Sequence, residues 1–256
     1  MRVTRSIVPN LFTLANLFCG FAAIIAATEG DIYRAALLIL TSGIFDMLDG
    51  VVARLTQSTS EFGVELDSLC DAVSFGVAPS VMLYMAFFHA WHSWGLLLAS
   101  LPALAGVLRL ARFNVQLTSM EDKLYFRGMP IPAGALTIIS YLVFFHQRDT
   151  LPAEWKTPGI VLVTLLTAGA MVSTIKYDNL PRPTWRGIKQ RPFVFLVFLA
   201  GVVAAIVTGG KALFPFMALY MIGGAIRHAV HLLRTRNRED DLDDTLEEPD
   251  PDPFEL

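Results

Sequence analysis

Cysteine is nearly absent. Cys19 and Cys70 are the two in 256 residues, and both lie in apolar stretches. That excludes a disulfide framework and gives no support to a metal site built on thiolates. Charge is scarce too, at 17% of residues. Lys and Arg are missing altogether from the last 18 residues, Glu239 to Leu256, which carry ten acids and Pro249, Pro251 and Pro253. Such a segment cannot bury a core and reads as a disordered, self-repelling tail. Without it the other 238 residues hold 20 basic and 13 acidic side chains, so the formal charge of -3 hides a body of net +7. No nucleic acid is expected among the partners.

What the chain has is apolar length. Hydrophobic residues make up 54%, with a mean hydropathy of +0.52, a balance that belongs to polytopic membrane proteins. About 20 apolar residues cross a bilayer core of roughly 30 Å. Eight candidate helices follow, near 11–28, 33–52, 63–88, 94–112, 131–146, 158–175, 193–208 and 212–233. The expected fold is an all-α membrane bundle of about eight transmembrane helices over residues 1–238, followed by the acidic tail, 239–256. The start, Met1 to Arg5 and an apolar run, has the look of a signal peptide but no polar stop before a cleavage site, so it reads as a retained first span.

Basic residues set the orientation. With eight spans, 16 of the 20 fall on one side, and only Arg34, Arg148, Lys156 and Lys211 on the other. The rich side is cytoplasmic, and both termini lie there. His89, Trp91, His92 and Trp94 cluster at an opposite turn, where an aromatic interfacial belt explains them better than a metal site.

Against this apolar background stand four acids in the stretch Asp46 to Asp71. On a helix Asp46, Asp49, Gly50 and Ala53 share a face, as do Gly63, Asp67 and Asp71 on the next. Ser58 with Glu61 three residues on would cap the second helix. Two helices joined by a short turn pack antiparallel, which brings the four carboxylates together. Bare anions cannot cluster near a membrane; repulsion and desolvation raise their pKa values, or they recruit cations. Oxygen ligands without His or Cys select Mg²⁺, Mn²⁺ or Ca²⁺, and four carboxylates suit a two-metal site that also takes phosphate oxygens. Gly50, Ala53 and Gly63 leave room for a bulky ligand, and Arg54 can neutralise a phosphate. A cation channel or transporter would also explain intramembrane acids, but not these small residues and Arg54 at these spacings.

Asp46, Asp49, Gly50, Ala53, Arg54, Gly63, Asp67 and Asp71 form the pattern D-x2-D-G-x2-A-R-x8-G-x3-D-x3-D. It resembles, at every position, the signature of the CDP-alcohol phosphatidyltransferase family. The resemblance implies that Asp46, Asp49 and Asp67 bind a metal pair, two divalent cations, Mg or Mn. It makes Asp71 both a ligand and the catalytic base, and gives Gly50, Ala53, Arg54 and Gly63 the CDP-lipid. Pro9, Asn10 and Thr13 are similar to the polar stretch that opens the family's first helix near the nucleotide. It further implies transfer of a phosphatidyl group from CDP-diacylglycerol to an alcohol, a homodimer, and a bacterial-type inner membrane with the site facing the cytoplasm.

The signature leaves the alcohol open among serine, glycerol 3-phosphate, inositol phosphate, choline and ethanolamine derivatives. The stretches R-L-A-R-F-N at 109–114 and F-R-G-M-P-I-P-A at 126–133 resemble those of family members that use L-serine. Arg109, Arg112 and Asn114 could grip a serine carboxylate and ammonium. The two arginines would serve equally as anchors to lipid phosphates. Gly128, Pro130 and Pro132 are expected to shape the entry into the fifth span.

Overall fold

The computed structural model describes residues 3–56, 60–118, 126–147, 151–177 and 192–246. Helix α1 spans Val3–Thr28 and α2 Ile32–Leu55. The turn between them places Gly30 at φ 84°, and Asp31 caps α2 by accepting the Arg34 N–H at 2.9 Å. Small residues let the two helices approach closely: Ala23, Ala26 and Ala27 on α1, and Ala35 and Ala36 on α2, are all buried.

Helix α3 spans Glu61–Asp71 and runs without a break into a π turn, Ala72–Val77, and then α4, Ala78–Ala86. Its cap is Ser60, whose Oγ accepts the Gly63 N–H at 3.1 Å, not the expected Ser58, which lies outside the described residues. The third span is therefore not a uniform α-helix. It widens immediately after Asp71, and π turns recur where a helix must aim side chains at a site.

A 3₁₀ turn, Phe88–Trp91, packs Trp91 edge-on against Phe87 and Phe88 and leads into α5, His92–Thr118. Pro102 interrupts the hydrogen-bond ladder of α5, and Ser80 Oγ accepts the neighbouring Ala103 N–H at 3.1 Å. Strand β1, Phe126–Arg127, pairs antiparallel with β2, Lys176–Tyr177. At the entry into the next helix Gly128, at φ 86°, donates to Ile175 O at 2.9 Å, and Met129 donates to Ala170 O at 2.9 Å. Pro130 then caps α6, Ile131–Tyr141, which continues as a π turn to His146. Helices α7, Ala153–Val172, α8, Pro192–Val207, and α9, Leu213–Leu246, complete the chain.

Helical segments thus stand at all eight expected places. Among the described residues six are long and apolar enough to cross a membrane, and Ile131–His146 is a shorter apolar helix. Helix α8 has 16 residues, about 24 Å at 1.5 Å per residue, short of a hydrocarbon core. The chain is a polytopic membrane helix bundle. Its core is built from α4, α6 and α7, with Met82, Leu83, Ile131, Ile138, Ile139 and Met171 fully buried. Large apolar side chains such as Leu11, Phe18, Phe21 and Leu219 face outward, as lipid contact requires. The helical backbone of α9 runs on to Leu246, so the expected tail boundary at 239 falls inside a helix, and 247–256 lie outside the described residues.

Candidate active site

The end of α2 and the start of α3 bring the acids together. Carboxylate oxygens of Asp46, Asp49 and Asp67 all lie within 4.8 Å of one another. Asp49 is buried, and Asp49 Oδ2 and Asp67 Oδ1 are both out of contact with solvent and accept no hydrogen bond. A buried acceptor without a donor costs roughly 1–3 kcal/mol, and more when it is charged. Three carboxylates this close, two of them with a buried oxygen that accepts no hydrogen bond, could hold a metal ion. All-oxygen ligation fits a hard divalent ion. Asp71, expected among the ligands, stands beside this tight group and not within it. It is buried and accepts a hydrogen bond from Asn16 Nδ2 at 3.0 Å.

A cleft of about 180 Å³ opens beside the triad, lined by Pro9, Asn10, Thr13, Asp49, Gly50, Ala53, Arg54, Ser60, Gly63, Val64 and Asp67. Every residue that the sequence assigned to the CDP-lipid is on that wall. Thr13 Oγ1 donates to Pro9 O at 3.2 Å and lies within hydrogen-bonding reach of the Asp49 carboxylate. Gly50 explains the opening: a Cβ there would meet nothing within 4 Å, so any side chain would project into free space over the acids. At Gly63 a Cβ would sit 3.2 Å from Ser60 Oγ and 3.7 Å from Asn10 Oδ1, crowding the cap that starts α3.

The three residues suggested for serine go to different places. Arg109 is buried on α5 with Nε unpartnered, and Asp71 and Tyr220 are its electrostatic neighbours. Arg112 turns away: its Nη1 donates to Val172 O at 2.7 Å, satisfying a carbonyl at the end of α7. Asn114 Nδ2 donates to Glu65 Oε2 at 3.2 Å, and its amide also pairs with Ser68 Oγ, tying α5 to α3. Of the three, Arg109 is the one that interacts electrostatically with Asp71.

A sequence model of the CDP-alcohol phosphatidyltransferases matches residues 6–176, which takes in the acids, the cleft and Arg109. The chain belongs to that family. Among its relatives, a CDP-diacylglycerol–serine O-phosphatidyltransferase of Helicobacter pylori is 37% identical over 220 residues, 86% of this chain and 90% of the relative. One of Mycobacterium tuberculosis is 33% identical over 224 residues, 86% of this chain and 75% of the relative. The archaetidylserine synthase of Methanothermobacter thermautotrophicus is 35% identical over 174 residues, 67% of this chain and 69% of the relative.

Within this CDP-alcohol phosphatidyltransferase, sequence reasoning overlooked a buried polar set behind the acids. Asn16 is fully buried on α1. Ser42 Oγ of α2 bonds to Asn16 Oδ1 and lies 3.3 Å from its carbonyl oxygen, and Ser74 Oγ, in the π turn, donates to that same carbonyl at 3.1 Å. A signal was available: Asn16 continues the three-residue step from Asn10 and Thr13 into an apolar span, where a polar side chain merits a functional reading.

Proposed function

We propose that the protein is a phosphatidylserine synthase, transferring the phosphatidyl group of CDP-diacylglycerol to the hydroxyl of L-serine with release of CMP. The observation that carries this reading is the close triad of Asp46, Asp49 and Asp67, with two buried carboxylate oxygens that accept no hydrogen bond, opening onto a cleft that has Arg54 on its wall, and with Arg109 near Asp71. The serine-specific names of its relatives support the choice of acceptor.

Two divalent cations, Mg or Mn, held by Asp46, Asp49, Asp67 and Asp71, would draw negative charge from the diphosphate and from the departing CMP. The protein's own groups do the rest. Asn10, Thr13, Gly50, Ala53, Gly63 and Arg54 seat the CDP portion in the cleft. Asp71 takes the proton of the serine hydroxyl. The serine oxygen then bonds to the lipid-side phosphorus as the bond from that phosphorus to the CMP oxygen breaks. Positioning and fixed charge account for most of the acceleration.

Arg109 binds the serine carboxylate. Its Nε is buried without a hydrogen-bond partner, and the fork of a guanidinium beside Asp71 can also take a substrate carboxylate. Arg109→Lys keeps the charge but loses the planar fork, and should raise the serine KM at least about 10-fold. The KM for CDP-diacylglycerol should hardly move. Steady-state kinetics with each substrate varied in turn checks this.

The reading extends to a homodimer in a bacterial-type inner membrane, with eight crossings, both termini and the site on the cytoplasmic side, and residues 239–256 as an acidic extension of the membrane domain. Its test is CMP release by detergent-purified protein given CDP-diacylglycerol, Mn²⁺ or Mg²⁺, and each candidate alcohol in turn. Release that requires serine is expected. Release with another alcohol alone would keep the acids' role and discard that of Arg109.

A further inference from the structure

We infer that Asn16 is a positioning residue that sets the orientation of Asp71 for proton transfer. The inference rests on the proposed role of Asp71 as base. A carboxylate pivots about its last torsion, so a base acts well only if something fixes the plane of its oxygens. Asn16 Nδ2 does so by donating to Asp71 Oδ1 at 3.0 Å. That is the one hydrogen bond Asp71 makes among the described residues, and it leaves Oδ2 available to the proton of the acceptor.

The amide is itself held. Ser42 Oγ engages its Oδ1, which turns Nδ2 toward Asp71, and Ser42 and Ser74 both reach the backbone carbonyl of Asn16. Three elements thus converge on one side chain: α1 supplies Asn16, α2 supplies Ser42, and the π turn after Asp71 supplies Ser74. An amide is suited to this task because it is neutral. A Lys or Arg in its place would fix the carboxylate but also pair with its charge and weaken it as a base. An apolar residue would leave it free to turn and without a donor.

Two variants separate orientation from mere packing. Asn16→Asp keeps the shape and replaces the donor by an acceptor; Asn16→Ala removes the group. In purified full-length protein with CDP-diacylglycerol, serine and Mn²⁺, both should lower kcat about 100-fold, the loss expected for a misplaced catalytic group. The KM for CDP-diacylglycerol should stay within about threefold, since the cleft is intact. In an Asp71→Asn background, Asn16→Ala should cost almost nothing more, because there is no base left to orient. The inference is overturned if kcat stays within about threefold of the parent, if the loss is shared with donor KM as damage to the bundle would cause, or if it adds in full to that of Asp71→Asn. Absence of serine-dependent CMP release from the parent protein would instead overturn the proposed reaction, before any variant is compared.

Discussion

Asp67→Asn should lower CMP release about 1,000-fold and at the same time make the cation-free protein harder to unfold. The two effects have one cause. An oxygen from each of Asp46, Asp49 and Asp67 lies within 4.8 Å of the others, and the proposed cation would offset the repulsion that this crowding creates. Asn in place of Asp67 keeps the volume and removes one of the three charges. Repulsion in the empty site falls, so the melting temperature in EDTA should rise by a few degrees. Cation affinity falls as well, so the further rise on adding Mn²⁺ or Mg²⁺, which in the parent follows from binding to the folded state alone, should largely vanish. The loss in rate corresponds to the several kcal/mol that a bound cation contributes to charge developing on phosphoryl oxygens. Thermal melts in detergent, with EDTA and with each cation, and CMP release on the same preparation measure both. A variant with unchanged metal-induced stabilisation would remove Asp67 from the cation site. This trade of stability for function is what a buried acidic cluster entails.

Much of this site could be read before any coordinates, and the reason is periodicity. Asp46 and Asp49 are one turn apart on α2, and Asp67 follows Gly63 by one turn on α3. Helical spacing therefore predicts which faces meet once the two helices are joined by a short connection. The same reasoning does not reach contacts between helices far apart in sequence. Nothing local tells that Asn16 lies against Asp71, 55 residues later, or that Arg112 ends on the Val172 carbonyl while Arg109, one turn earlier, stays with the acids. Spacing placed Asp71 with the other three carboxylates; the hydrogen bond from Asn16 holds it beside them. Hydropathy gave the helices but not their regularity. It carries no mark of the π turn at Ala72–Val77, within which Ser74 Oγ donates to Asn16 O of α1. The cap shift from Ser58 to Ser60 shows a further ambiguity: Ser58 and Ser60 both precede the helix, and the N–H that is free to be capped decides between them.

Asp71→Asn tests the chemistry rather than the cation. Asp71 is buried, takes its hydrogen bond from Asn16 on one oxygen, and has Arg109 as an electrostatic neighbour. A serine whose carboxylate rests on Arg109 would bring its hydroxyl toward the remaining oxygen, while the CDP portion in the cleft brings phosphorus from the direction of Gly50 and Asp67. Asparagine preserves the shape and the place in the bundle but cannot take a proton. Loss of a general base costs about 100- to 10,000-fold. A value near the upper end is expected for kcat here, with the KM for CDP-diacylglycerol within a few-fold of the parent. Stabilisation by Mn²⁺ or Mg²⁺ gives the second axis. If Asp71 acts mainly as a base, that stabilisation survives in Asp71→Asn, in contrast to Asp67→Asn. If it falls to the same extent in both variants, Asp71 is foremost a cation ligand, and the proton must go to another of the four acids. A normal rate would leave Asp71 with neither task, and the bond from Asn16 would then serve only to hold α1 against α3.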